Sequence, residues 1–354
     1  MWFVPDLRFP EFTGEWQCKA IGKVAPLQRG FDLPTQNLVE GIYPVIYSNG
    51  ILQHHDKYKC EAPGLITGRS GTIGKFTYID SGFYWPHNTS LWVTDFCGNC
   101  PKFIYYLYQT VHIEQFSTGS GVPTLNRNDV HRYKTFVPTA IVEQEKIAKF
   151  LSILDERIAT QNKIIEDLKK LKSAISERFF TSINGDVVTL ADICDIVKGK
   201  QVNGEFLTDS GNYYVMNGGI EPSGYYDDYN TEANTISISE GGNSCGYVQF
   251  NTTPFWSGGH CYTIQNITNN VEKLYLYHYL KCNEDTIMKL RIGSGLPNIQ
   301  KKDLAKFRVI VPIIEQQKTI SAFLSLLERK VQVETDILIA VQSEKQYLLR
   351  QMFI

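Results

Sequence analysis

Two stretches of the chain carry apolar residues at alternating spacings of four and three. In the first, Ile147, Leu151, Leu154, Ile158, Gln161, Ile165, Leu168, Lys172, Ile175 and Phe179 fall on one seam. In the second, Ile320, Leu324, Leu327, Val331, Glu334, Leu338, Val341, Lys345, Leu348 and Met352 do the same. This is the a/d register of a coiled coil. It predicts two helices of roughly 38 residues, about 57 Å long each at the usual rise. Both seams are interrupted at matching places, Gln161 with Glu334 and Lys172 with Lys345; polar seam residues cost stability but fix register. Off the seam, Phe150, Ile164 and Leu171, and Phe323, Leu326, Ile337 and Leu349, widen the apolar stripe. A stripe that wide points to a bundle completed by another protein.

Ahead of each helix the pattern changes to short alternating runs with Gly-rich turns, the signature of strands and hairpins. Tyr43-Pro44-Val45-Ile46 and Tyr213-Tyr214-Val215-Met216 read as strands. Gly64-Leu65-Ile66-Thr67 and Ile73 to Ile79 flank the turn Gly68-Arg69-Ser70-Gly71; Thr235 to Ser239 and Cys245 to Phe250 flank Glu240-Gly241-Gly242-Asn243. An aromatic–His loop and an aromatic helix follow in each copy, the helix from about Lys102 to His112 and from about Val271 to Lys281. The copies align at an offset of 174, as in Gly119-Ser120-Gly121-Val122-Pro123 against Gly293-Ser294-Gly295-Leu296-Pro297, and at 173 along the helices. The Gly-Ser-Gly segments read as joints between module and helix. The expected class is α+β: two similar mixed α/β domains separated by two long coiled-coil helices. The segments are a lead-in (1–14), a first domain (15–138), a first helix with its connector (139–185), a second domain (186–313) and a second helix (314–354).

The bulk numbers narrow the function. The chain is 43% apolar and 20% charged, as in a globular protein. No apolar run reaches the eighteen residues that suggest a membrane span. The start, Met1-Trp2-Phe3-Val4-Pro5-Asp6, lacks the basic and apolar regions of a signal peptide, so the cytoplasm is the expected compartment. Eight Cys then read as free thiols, and Cys97-Gly98-Asn99-Cys100 lacks the second ligand pair of a zinc site. Residues 15–137 carry eleven Lys/Arg against nine Asp/Glu, and residues 186–313 ten against fourteen. Neither module can hold a polyanion by bulk charge alone, so a local patch or a partner must supply affinity. No phosphate loop, dinucleotide fingerprint, nucleophile elbow or zinc-protease helix is present. No catalytic residue, metal site or bound cofactor is therefore expected.

The opening Leu7-Arg8-Phe9-Pro10-Glu11-Phe12-Thr13-Gly14-Glu15-Trp16, the hairpin Arg69-Ser70-Gly71-Thr72-Ile73-Gly74-Lys75, and Glu143-Gln144-Glu145-Lys146 with its second copy Glu315-Gln316-Gln317-Lys318 add a further clue. In these motifs and their duplicated order the chain resembles the specificity subunits of Type I restriction–modification systems, over essentially its whole length. The resemblance implies that the two long helices pack antiparallel, so that two target-recognition domains are related by a pseudo-two-fold axis, each reading one half of a gapped double-stranded DNA sequence. The helices would act as a ruler for the spacer. It also implies two modification subunits that bind S-adenosylmethionine and methylate adenine at N6, restriction subunits that use ATP and Mg²⁺, no membrane, and no catalysis by this chain.

Base readout uses Arg, Lys, Asn, Gln, Ser and acidic residues at groove edges. Candidates in the first module are Arg29, Lys57, Arg69, Ser70, Lys75, His87 and Asn88. Those in the second are Lys200, Gln201, Asn217, Asn243 and His260. The turn carrying Arg69 has an acid, Glu240, in its counterpart, so the two turns cannot contact phosphate alike. The competing expectation is a coiled-coil scaffold whose modules bind protein without reading DNA.

Overall fold

The computed structural model of the protein describes residues 4–119, 123–293, 295 and 297–354. Ser120, Gly121, Val122, Ser294 and Leu296, within the two Gly-Ser-Gly segments, lie outside the described residues. The chain divides into two compact units, Met1–Asn162 with Ile337–Ile354, and Lys163–Asp336.

The heptad stretches form helices Ile141–Ser182 and Ile314–Met352. They start a turn earlier than the first seam residues because Ile141 and Ile314 follow the strands that close each module. In the second unit Lys172 pairs with Glu328, and Phe179 meets Phe323 edge-on at 6.0 Å. Numbers rise on one helix as they fall on the other, so the helices run antiparallel there. In the first unit the corresponding ion pair joins Asp155 to Lys345 at 2.5 Å. Seam residues Ile147, Leu151, Leu154, Ile165, Ile320, Leu324, Val341 and Leu348 are buried, whereas Ile158, Leu168, Ile175, Leu327, Val331 and Leu338 are partly so. Burial of each large side chain contributes about 1.5–3 kcal/mol. Of the off-seam residues, Leu349 is buried, while Ile164, Leu171, Phe323, Leu326 and Ile337 remain exposed.

Each unit carries one mixed module. In the first, an antiparallel sheet runs Leu27–Arg29, Ser90–Val93, Gly64–Gly68, Phe76–Ile79. In the second, its counterpart runs Asp195–Lys198, Cys261–Gln265, Thr235–Ser239, Val248–Asn251. The strands Gly64–Gly68 and Thr235–Ser239 are buried at every residue, as befits sheet centres covered on both faces. A second sheet pairs Tyr43–Tyr47 in parallel with Phe83–Pro86; its counterpart pairs Tyr213–Met216 with Trp256–Ser257. A ribbon of Gln17–Ala20 with Lys134–Val137, and of Asp186–Thr189 with Arg308–Val311, brings the ends of each module together just before a long helix.

The aromatic helices are Pro101–Thr110 and Lys273–Cys282. Proline at the first turn suits a position whose N–H has no intrahelical partner. Phe103, Tyr106, Tyr108, Tyr275 and Leu280 face the cores, which extend onto the long helices. Phe353 stacks on Phe103 at 5.3 Å in the first unit, and Phe180 lies edge-on Tyr279 at 5.2 Å in the second. The lead-in is anchored on the first unit: Arg8 forks onto the buried Glu143 at 2.6 and 2.8 Å, and Trp16 Nε1 donates to the same carboxylate at 3.1 Å.

Candidate nucleic-acid interface

Three polar devices lock each module to its helices; two recur in both units, and the third keeps its serine but changes that serine's partner. Gln144 is buried at the start of the first long helix. Its Nε2 donates to Asn99 Oδ1 and to the Pro138 carbonyl, both at 2.9 Å, and its Oε1 accepts from the Cys100 N–H at 2.9 Å. Gln317 is wholly buried; it donates to the Asn270 and Pro312 carbonyls at 2.9 and 2.7 Å and accepts from the Glu272 N–H at 2.8 Å. Cys100 and Glu272 are the N-cap residues of the aromatic helices. Each glutamine therefore ties a long helix to the head of its module's aromatic helix.

The second device explains the seam lysines. Lys345 pairs with Asp155, which accepts from the Tyr106 hydroxyl at 2.7 Å. Lys172 pairs with Glu328, which accepts from the Tyr277 hydroxyl at 3.1 Å. One carboxylate thus joins two long helices and a module. The third device lies beside it: Ser152 accepts from Tyr106 at 3.2 Å, and Ser325 meets His278 Nε2 at 2.9 Å. Burial pushes the His278 imidazole down to about 4.

The loops that can face a ligand converge where each four-stranded sheet ends. Arg29 and Lys198 close the first strand in their respective sheets and occupy the same register, opposite Leu91 and Tyr262. The next residues, Gly30 and Gly199, pass so close to the neighbouring loop that a Cβ would overlap the carbonyl oxygens of Pro86 and His87, or of Ser257 and Gly258. In the first unit Arg29, Arg69 and Arg127 line one cleft of about 640 Å³ with Asn126, Asn128 and, as the single acid among its described lining residues, Asp32. Asp32 holds Arg29 at 2.8 Å and also accepts from Asn88. The His87 ring lies tilted against Tyr47, centroids 4.2 Å apart, and contacts Thr89 Oγ1 at 3.0 Å; burial lowers its pKa.

In the second unit the corner is built around Glu240, which is 7% exposed. Its Oε1 accepts from Lys198 Nζ at 2.6 Å and from Tyr262 at 3.1 Å. Burial, then the Glu240 carboxylate, push the Tyr262 hydroxyl up to about 12, so it stays a donor. His260 Nδ1 lies 3.6 Å from the other oxygen, and the His260 N–H donates to Asn217 Oδ1 at 3.1 Å. Lys200 and Gln201 are exposed beside this corner, held by backbone pairing of Lys200 to Ser257.

The corners thus gather Arg29, Arg69, His87 and Asn88 in one unit and Lys200, Gln201, Asn217 and His260 in the other. Ser70 bridges to Thr124 at the edge of the first cleft. Lys57, Lys75 and Asn243 are exposed and do not line these corners. Lys198, Asp32 and Arg127 were not among the expected residues. Lys198 was signalled by the match of Arg29-Gly30 to Lys198-Gly199. Among the described residues no group of three or more His, Cys, Asp or Glu is placed to hold a metal ion, and no helix is long and apolar enough to cross a membrane.

Comparison with known proteins gives a consistent result. The model of the Type I restriction modification DNA specificity domain matches residues 13–170 and again 184–343. A putative type I specificity subunit of Mycoplasma pneumoniae is 32% identical over 154 residues, which is 43% of this chain and 41% of that protein, so the match spans less than half of that relative. One from Mycoplasma genitalium is 23% identical over 360 residues, covering 96% of this chain and 94% of the relative. Among solved structures, a Type-I restriction-modification system S subunit from M. genitalium superposes with a TM-score of 0.74 at 22% identity, over 99% of each chain. A chain from a structural study of complex assembly and conformational transition in the type I R-M system gives 0.57 at 16% identity, over 94% of this chain and 96% of that one. At such identities the structural likeness is one of fold.

Proposed function

Because this chain belongs to the Type I restriction modification DNA specificity domain family, whose model covers both of its halves, we propose that it is the DNA sequence-recognition subunit of a Type I restriction–modification complex. Each recognition domain reads one half of a gapped target. The long helices hold the two readers apart and set the spacer, since a flexible linker would accept many spacings. Two N6-adenine methyltransferase subunits dock on the helices and flip the target adenine from the stack. S-adenosylmethionine belongs to those subunits, and ATP with Mg²⁺ to the restriction subunits. This chain supplies recognition without catalysis, in the cytoplasm where the DNA lies.

The observation that carries this reading is the duplicated lock. A ruler works only if each reader is fixed to its end of the helices. Gln144 and Gln317, and the Tyr106–Asp155–Lys345 and Tyr277–Glu328–Lys172 triads, perform that task in equivalent positions. The exposed Leu171, Phe323, Leu326 and Ile337 on the long helices support a docking role toward partner subunits. Arg29, Arg69 and Arg127 around one cleft supply the local basic patch that the net charge of −2 does not.

Co-expression with a Type I modification subunit, followed by sequencing that detects modified bases, tests the proposal. The expected result is a stable complex and N6-methyladenine at one bipartite gapped motif. A stable complex with no methylated motif would favour the scaffold reading; DNA modified or cut by this chain alone would exclude both.

A further inference from the structure

Arg69 and Glu240 occupy one structural position with opposite charge. The N–H groups of both donate to loop carbonyls, Thr89 and His260, at 2.9 Å. Their own carbonyls accept from Leu125 and Ile299 at 2.8 Å. Two residues on, Gly71 and Gly242 share a φ of +77° and donate to Pro123 and Pro297. The backbone is the same; the side chain is inverted.

The surroundings differ to match. Arg69 is part-exposed and lines the arginine-rich cleft. Position 91 beside it is Leu, whereas the equivalent Tyr262 donates to Glu240. Glu240 Oε2 is buried and has no hydrogen-bond partner among the described residues. Its nearest polar neighbour is His260 Nδ1 at 3.6 Å, an ion-pair contact beyond hydrogen-bond length, so a ligand that donates to this oxygen would satisfy a group the free chain holds only by charge. Its neighbours Lys198 and His260 are 52% and 62% exposed, and a DNA phosphate can take Lys198 over.

We infer that this position sets the hydrogen-bond polarity of readout in each half-site: Arg69 meets the O6 and N7 acceptors of a guanine, and Glu240 the N4 amino group of a cytosine. Both pairings follow from groove-edge chemistry. The inference rests on the proposed role in DNA recognition and adds which base type each domain demands at one position.

The test uses the complex assembled with its modification subunits. Its binding and methylation are measured on duplexes that vary one base pair at a time. Glu240→Gln, which keeps shape and removes the charge, lowers discrimination at one C·G pair of one half-site by about tenfold or more. The other half-site and the spacer stay unchanged. Arg69→Gln relaxes a G·C pair in the other half-site, and Lys198→Met weakens all sequences alike and lowers the salt dependence. Unaltered discrimination in Glu240→Gln overturns the inference. So does an equal loss on every sequence, or a change centred on an A·T pair. A wild-type complex that methylates no gapped motif removes the underlying role, and the inference with it.

Discussion

Replacing Gln317 by Ala should destabilise the second unit far more than its position on a helix surface would suggest. Gln317 is wholly buried and makes three hydrogen bonds, to the Asn270 and Pro312 carbonyls and from the Glu272 N–H. Alanine leaves two carbonyls and one N–H without partners. Each buried unsatisfied group costs about 1–3 kcal/mol. Relaxation and water entry recover part of that, so a net loss of about 3–5 kcal/mol is expected, a large share of a typical domain's stability. The neighbour Gln316 is exposed, and Gln316→Ala should stay within about 0.5 kcal/mol. Urea denaturation of the full chain at 25 °C, with hydrogen exchange of Lys273–Cys282 as a local readout, measures both. Accelerated exchange should begin at the head of that helix, where Glu272 loses its partner. Equal midpoints for the two variants would refute the idea that the glutamine locks module to helix.

Further predictions follow the same reasoning. Arg8→Ala leaves Glu143, 2% exposed, with Trp16 as its one side-chain donor among the described residues, and should cost about 3–5 kcal/mol; adding Glu143→Gln should restore much of it in thermal melts. His278 is neutral in the folded chain and pushed down to about 4, with Glu328, Glu272 and Lys172 as the charged groups around it. The unfolded chain takes up the proton first, so stability contributed by the neutral imidazole is lost as pH falls from about 6.5 to about 4, by up to about 3 kcal/mol. His278→Gln should flatten that slope in denaturation curves taken across the window. A double-mutant cycle on Lys172 and Glu328, both part-exposed, should give a coupling of about 1 kcal/mol that weakens in high salt.

The long helices were legible because a heptad seam is local: every residue that defines it lies within one stretch of chain. Even the polar interruptions carried meaning, since Lys172 and Lys345 turned out to bind equivalent carboxylates on the facing helix. The hairpins around Gly68-Arg69-Ser70-Gly71 and Glu240-Gly241-Gly242-Asn243 were legible for the same reason. What escaped were pairings between distant residues. Gln17–Ala20 finds Lys134–Val137, and Arg8 finds Glu143, only after the whole module has folded. Lys198 was passed over for Lys200 because the sequence shows a basic turn without its register. The fold places Lys198 at the strand end opposite Tyr262, where it reaches Glu240. Glu240 itself read as a lost arginine; the fold makes it the buried centre of a cluster with Lys198, Tyr262 and His260.

A ruler made of helix can be shortened. Deleting one matched heptad from both helices, within 158–164 and 336–342, removes about 10.5 Å of helix, or about three base pairs at 3.4 Å each. Sequencing of modified bases in cells carrying the altered complex reads the outcome directly. The expected result is the same two half-sites separated by a spacer about three base pairs shorter, or loss of methylation where the partners cannot span it. Altered half-site bases with an unchanged spacer would show that the helices are no ruler.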